Sequence, residues 1–145
     1  MHRVPPHSVW IGNAGDIRTP STLIQIGIQA VVDVAFEEPP AVLLRKFMYC
    51  RFPLNDGGNN DPDVLKMAIQ TVLGLIRSDI PTAVACSAGM SRSPTIVACA
   101  IAALNDSEPI AELKHISAVR TLEANGELWA QATEAVQQLT RPSDD

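Results

Sequence analysis

Hydrophobic positions along this chain fall into two alternating rhythms. Short apolar runs at Val9–Ile11, Ala30–Val34, Phe47–Phe52 and Thr82–Cys86 have the length of strands. Between and after them lie stretches with helical spacing. Pro20–Ile26 is one, with Thr19 placed to cap it. In the next, Asp61 precedes Pro62, pairing an N-cap with a first-turn proline. Val64, Leu65, Ala68, Val72, Leu75 and Ile76 then recur every three or four residues as far as Ser78. Three further helices are expected at Ser93–Asn105, Glu108–Val119 and Glu127–Leu139. Strands alternating with helices predict a single α/β domain, a mostly parallel central sheet with helices on both faces. The predicted domain spans residues 1–140, and 141–145 reads as a disordered polar tail.

Composition narrows the classes open to the chain. Its 145 residues suffice for one core, and apolar residues at 46% exclude a disordered chain. The longest apolar run, Thr95–Leu104, is too short to span a bilayer, and no signal peptide is visible. A net charge of −5 argues against a nucleic-acid or anionic-membrane surface. Three cysteines at irregular spacing form no disulfide framework, so a reducing, cytoplasmic setting is expected. No His/Cys/Asp cluster has metal-ligand spacing, and neither metal nor cofactor is expected.

One stretch carries chemistry. From Cys86 to Pro94 the chain reads Cys-Ser-Ala-Gly-Met-Ser-Arg-Ser-Pro, between an apolar strand and an apolar helix. Strand, tight loop and helix N-terminus in that order make an anion cradle, because loop N–H groups and the positive helix end converge. The same field stabilises a thiolate at Cys86. Arg92 adds a planar cation able to grip two phosphate oxygens. Cys86 and the parallel sheet agree, since ligands of such sheets sit beyond the carboxyl ends of strands.

The loop resembles that of the cysteine-based protein tyrosine phosphatases, specifically the small dual-specificity branch. Its pattern H-C-x-x-G-x-x-R-S/T matches Cys86, Gly89, Arg92 and Ser93. Val9-Trp10-Ile11-Gly12-Asn13 resembles the family's opening strand and glycine turn. Leu23, Gly27-Ile28 and Ala30–Val34 resemble the next helix and strand, and Tyr49–Asp56 the strand leading to the acid loop. The likeness covers about Val9 to Val119. It implies hydrolysis of phosphotyrosine, and of phosphoserine or phosphothreonine, in a phosphorylated protein or peptide. Cys86 would be the nucleophile that forms a phosphocysteine, and Arg92 the phosphate-binding cation. The amides of Ser87, Ala88, Gly89, Met90, Ser91 and Arg92 would complete the cradle. Ser93 would hydrogen-bond the Cys86 sulfur, cap the helix after the loop, or both. Asp56 would be the general acid, carried by a hinge-like Gly57-Gly58-Asn59-Asn60 segment, with Asp61 and Asp63 as runners-up.

One position departs from the family: Ala85 stands where histidine precedes the cysteine. Its loss removes one support of the thiolate, so activity is expected to rise with pH. It also motivates the rival reading, a pseudophosphatase that binds phosphorylated partners without turning them over. A rhodanese-like sulfur carrier is a third reading, disfavoured by Arg92 and the Ser-Arg-Ser-Pro entry to the helix. Ser87, Ala88, Met90 and Ser91 bring no extra positive charge, which disfavours phosphoinositides and RNA 5′-triphosphates as substrates. Cys99 is expected in the core, and Cys50 either in the core or in a regulatory disulfide with Cys86. Trp10 and Trp129 are expected to pack, Asp33 to finish a strand, and Asn125-Gly126 to turn and brace the loop.

Overall fold

The computed structural model describes residues 1–140, so the tail expected at 141–145 lies outside the described residues. Five strands form the sheet: β1 (His2–Arg3), β2 (Val9–Asn13), β3 (Ala30–Ala35), β4 (Met48–Leu54) and β5 (Thr82–Cys86). Six helices accompany them: α1 (Ala14–Ile17), α2 (Pro20–Ile26), α3 (Pro62–Arg77), α4 (Arg92–Asn105), α5 (Pro109–Ser117) and α6 (Gly126–Thr140). Strand order is β1-β2-β5-β3-β4, parallel except where β1 runs against β2. The last strand in sequence therefore sits at the centre, between β2 and β3. All five residues of β5 are buried, and its carboxyl end presents Cys86 opposite Asn13 of β2.

Strand alternation divides the core between two faces. Val9, Ile11, Val32, Val34, Val84 and Cys86 face one cluster, closed by Leu65 and Ile69 of α3, Ile96 and Ile101 of α4, and Leu128 of α6. Val31, Ala83 and Ala85 face the other, closed by Ile17 of α1 and Leu23 of α2 with Ile28 and Phe47. Helices thus cover both faces of a mostly parallel sheet, as the sequence predicts. Helix α4 is buried from Arg92 to Ala102, packed among α3, α5, α6 and the sheet, which accounts for its lack of a polar stripe. Among the described residues no helix is long and apolar enough to cross a membrane.

Several local expectations change on contact with the fold. Asp61 does cap α3, accepting the Asp63 N–H at 2.8 Å. Thr19 occupies the N-cap position of α2, yet its hydroxyl donates to the Gly15 carbonyl at 3.0 Å instead. Asp33 does not finish a strand. It lies inside β3, 2% exposed, accepting the Ala35 N–H at 3.1 Å and the Tyr49 hydroxyl at 2.9 Å. Helix α1 was not foreseen, although its signal is present: the Asn13 side chain accepts the Asp16 N–H, and the Asp16 carboxylate accepts the Asn13 N–H, a reciprocal capping box.

The cysteines separate cleanly. Cys99 is fully buried in α4, and burial pushes its thiol up to about 12, so it is a core residue without thiolate chemistry. Cys50 packs at the edge of the larger cluster. It lies on β4, and β3 intervenes between it and Cys86, with Val32 pairing Cys50 on one side and Val84 on the other. Two strand spacings, about 10 Å, exceed the roughly 7 Å over which a disulfide can form. The Cys50–Cys86 disulfide is therefore ruled out in this fold. Trp10 and Trp129 pack against the smaller and larger clusters respectively.

Candidate active site

Cys86 is the last residue of β5 and Arg92 the first of α4, so Ser87–Ser91 must turn the chain from strand to helix over Cys86. Gly89 makes that turn possible, at φ +71°. Its amide donates to the Cys86 Sγ at 3.2 Å, and the Ser93 Oγ lies 3.3 Å from the same sulfur. Ser93 sits inside the first turn of α4, wholly buried, while Ser91 holds the N-cap position. The capping role considered for Ser93 is thus excluded and its contact with sulfur observed. Both contacts converge on the sulfur beside the N-terminus of α4.

Asp56, Cys86, Ser87, Ala88, Met90, Ser91 and Arg92 line one cavity of about 210 Å³, together with Glu123. Gly89 and Ser93 do not line it but both contact the Cys86 sulfur. The site residues read from the sequence therefore meet at one place. Arg92 is 5% exposed, and its Nη1 donates to the Leu54 carbonyl at 2.8 Å. Burial works against its charge, but hydrogen bonds from its guanidinium to Glu37 and the charges of Glu37, Cys86 and Asp56 hold it above its ordinary value.

Asp56 is docked on the cradle. Its Oδ1 accepts the Ser91 hydroxyl at 2.5 Å, and the Ser91 Oγ in turn accepts the Asn125 N–H at 2.9 Å. Asn125 also caps α6, its Oδ1 accepting the N–H groups of Glu127 and Leu128 at 3.0 Å each. The brace expected of Asn125-Gly126 thus reaches Asp56 as well as the loop.

The hinge expected at Gly57–Asn60 is not one. Asn60, 6% exposed, accepts the Asn55 N–H at 2.7 Å and donates to the carbonyls of Asn55 and Gly57 at 3.0 Å each. Gln131 of α6 clasps the backbone of Asn60 through both its amide groups, at 3.2 and 3.1 Å, and Glu127 holds the Gly58 N–H at 3.2 Å. Five hydrogen bonds centred on one asparagine make this loop a rigid mount for Asp56. Neither Asp61 nor Asp63 lines the cavity; Asp61 is engaged at the helix start. We expect Asn60→Ala, which removes the three side-chain bonds and keeps the two backbone bonds to Gln131, to leave the cradle intact but to lower kcat by about tenfold, with Tm down by several degrees. Steady-state kinetics beside a thermal melt checks this, and an unchanged kcat would show that Asp56 does not need the mount.

Four contributors escaped the sequence reading. Arg120, between α5 and α6, donates to the carbonyls of Gly89 at 2.5 Å and Ala88 at 3.0 Å, and to His2 Nδ1 at 2.8 Å. It thereby fixes the loop by its carbonyls. The Glu123 N–H donates to the Met90 carbonyl at 2.9 Å, and the Ala14 N–H to that of Ser87 at 3.2 Å, with the same effect. Glu37, on the turn after β3, pairs with Arg92 through both carboxylate oxygens and accepts the Ser87 hydroxyl. The Arg92 guanidinium holds the Glu37 carboxyl down at about 2. An arginine so distant in sequence from the loop, and a glutamate in an otherwise ordinary Phe-Glu-Glu-Pro-Pro turn, carry no local signal. Ala85 belongs to the apolar cluster with Ile17, Leu23 and Phe47 and makes no polar contact with the loop.

No family model matches this sequence, and no curated protein matches it by sequence. Its structure has clear relatives. Human DUSP28 superposes with a TM-score of 0.81 at 20% identity, covering 96% of this chain and 97% of that one. A mouse putative dual specificity phosphatase complexed with zinc tungstate gives a TM-score of 0.80 at 25% identity, over 95% and 87% of the two chains. PTPMT1 in complex with PI(5)P gives 0.77 at 16% identity, over 96% of each. The chain has the fold of the small dual-specificity phosphatases, within the cysteine-based protein tyrosine phosphatase superfamily.

Proposed function

We propose that this protein is a phosphomonoesterase acting on phosphorylated proteins or peptides, with phosphotyrosine as its principal substrate and phosphoserine or phosphothreonine as further ones. The observation that carries the reading is the Cys86 sulfur, held by the Gly89 amide at 3.2 Å and the Ser93 hydroxyl at 3.3 Å in the cavity shared by Arg92 and Asp56. A buried sulfur given two polar partners beside a cation is arranged for a thiolate rather than for packing.

In the first step the Cys86 thiolate attacks phosphorus, forming the S–P bond as the ester P–O bond breaks. Arg92 and the amides of Ser87–Arg92 stabilise the charge on the equatorial oxygens. Asp56 gives its proton to the departing oxygen, and Ser91 fixes the orientation of the carboxyl. In the second step water attacks the phosphocysteine, Asp56 takes up its proton, and the S–P bond breaks to return the thiolate. The Ser93 hydroxyl stabilises the sulfur as it leaves. Inorganic phosphate is released, and the reaction needs neither metal nor cofactor.

Substrate class follows from the cavity's charge. Ser87, Ala88, Met90 and Ser91 add no cation to Arg92, and Asp56 and Glu123 line the wall. A single phosphoryl group fits this balance better than a polyphosphorylated headgroup, although PTPMT1 has been solved with PI(5)P. Against a phosphotyrosine peptide, Asp56→Asn is expected to lower kcat by about 100-fold. With para-nitrophenyl phosphate, whose leaving group barely needs a proton, the loss is expected to be several times smaller. Equal losses on both substrates would remove Asp56 from the acid role. Ala85 favours the second reading, a phosphate-binding module without turnover. It is separated by the same assays: phosphopeptide binding with no hydrolysis above the Cys86→Ser background would make this protein a reader of phosphorylation.

A further inference from the structure

Of the eight residues that line the Cys86 cavity, six belong to the loop and one is Asp56; the eighth is Glu123. It comes from the segment between α5 and α6, and its backbone N–H donates to the Met90 carbonyl at 2.9 Å. That bond seats Glu123 beside Met90 on the cavity wall, where it is exposed. Phosphoryl transfer asks for no such group. A carboxylate on the wall repels a phosphate dianion entering the cradle, unless the substrate brings a cation with it.

The other carboxylates around the cradle are engaged. Glu37 meets Arg92 and Ser87, Glu38 meets Arg18 and Ser87, and Asp56 meets Ser91. Glu127 accepts the Gly58 N–H. The Glu123 carboxylate, among the described residues, makes neither an ion pair nor a hydrogen bond. Arg120, three residues earlier, is committed elsewhere: Nε and Nη2 donate to the Gly89 and Ala88 carbonyls, and Nη1 meets His2 Nδ1.

The adjoining surface indicates what fits there. Half-buried Met90 and exposed Ala88 share the wall with Glu123 and are apolar. An apolar strip ending in a carboxylate suits a lysine or arginine side chain, whose aliphatic stem packs while its charged head stays polar. The methionine thioether adapts to either stem. We propose that Glu123 is a specificity residue that selects substrates carrying a lysine or arginine next to the phosphorylated residue. This narrows the substrate class and rests on the reading of the Cys86 cavity as the phosphate site. The wider field acts in the same sense. With Glu37, Glu38 and Asp56 around the same loop and a net charge of −5, basic peptides are drawn in and acidic ones repelled.

Three phosphotyrosine peptides test this, identical except that both residues flanking the phosphotyrosine are Lys, Ala or Glu. KM and kcat are measured with the wild type, and Cys86→Ser protein is titrated with the same peptides by calorimetry. Each experiment is repeated with Glu123→Gln and Glu123→Lys. The flanking contact is the same before and during phosphoryl transfer, so the effect falls on KM and Kd and not on kcat. The Lys peptide is expected to bind about threefold tighter than the Ala peptide and about tenfold tighter than the Glu peptide, less so at high salt. Glu123→Gln is expected to remove most of this preference, and Glu123→Lys to invert it. An equal loss of affinity for all three peptides would make Glu123 a support for Met90 and overturn the proposal. A preference that survives Glu123→Gln overturns it as well. So does a wild-type preference for the Glu peptide, which would direct the flanking residue to the hollow lined by His2 and Arg120 beyond Ala88 and Met90. Hydrolysis of all three peptides at one KM refutes the charge selection and leaves the phosphatase reading standing. Selection that depends on Glu123 in calorimetry, without hydrolysis by the wild type, does the reverse. Failure to bind any of the three overturns both.

Discussion

Cys86→Ser is expected to abolish hydrolysis, by at least about 10⁴-fold in kcat, while leaving phosphopeptide affinity within a few-fold of wild type. The asymmetry follows from geometry. A serine hydroxyl at this position gains the same two partners, the Gly89 N–H and the Ser93 hydroxyl. Neither lowers its proton affinity enough to make an alkoxide near neutral pH, whereas a thiolate is within reach of both contacts and the α4 N-terminus. In the proposed function binding is carried by different groups, the Arg92 guanidinium and the loop amides, which the substitution does not touch. Hydrolysis of para-nitrophenyl phosphate and calorimetric titration with a phosphotyrosine peptide read the two quantities separately. Turnover that survives the substitution would place the nucleophile elsewhere. Loss of both turnover and binding would mean that the sulfur shapes the cradle as well as attacking.

Gly89→Ala is expected to be nearly as damaging, with kcat/KM lower by about 10³-fold, although no reacting group is removed. The residue sits at φ +71°, a conformation that costs a side chain about 1–2 kcal/mol. A methyl group there would lie 2.7 Å from the Gly12 carbonyl oxygen and 2.9 Å from its carbon, both backbone atoms of β2 in the interior of the sheet. It would also press on the Arg120 guanidinium, which binds the Gly89 carbonyl. The Arg120 side chain can swing aside, but the backbone of β2 cannot withdraw cheaply, so the loop must. The amide that meets Cys86 then moves, and with it the cradle's other donors, each worth a large factor in the transition state. Loss of phosphate binding in the alanine variant, with the melting temperature lowered by only a few degrees, is the expected pattern. Wild-type kinetics in Gly89→Ala would mean that the cradle tolerates displacement and that the amides contribute little.

The two variants also separate two kinds of legibility. Cys86, Arg92 and Ser93 were readable because their partnership is local: strand, turn and helix bring residues seven apart to within 3.3 Å with no help from elsewhere. Gly89 was readable for the same reason, as the turn needs its positive φ, but the closeness of Gly12 was not. That contact exists only because β5 is inserted between β2 and β3. Ala85 illustrates the converse. The resemblance marks it as a gap in the machinery, while the fold uses it to close the apolar cluster on the far side of the sheet. Its alternation with Val84 and Cys86 determines which way it faces.

Asp56 shows where local reading reaches its limit. Its place after a strand and before a glycine pair identified the acid candidate and also invited the idea of a hinge, because glycines are permissive when nothing else is known. Asn60, Gln131 and Glu127 convert the same glycines into a fixed mount, and two of the three belong to α6, some seventy residues away. Asp33 misled for a related reason. An aspartate in an apolar run reads as a strand end until Tyr49, on the neighbouring strand, supplies a hydroxyl for it.

By itself the sequence determined four of the five strands and five of the six helices described, the two-faced sheet, and the contiguous cradle from Cys86 to Ser93, because apolar periodicity and turn chemistry act over a few residues. Tertiary structure alone decided which distant side chains complete the site. It seated Asp56 on Ser91 and Asn125, turned Arg120 onto the loop carbonyls, and laid the Glu37 carboxylate on Arg92. Strand order brings these groups together, and strand order is set by how two hydrophobic faces are buried, a property of the whole chain that no short segment carries.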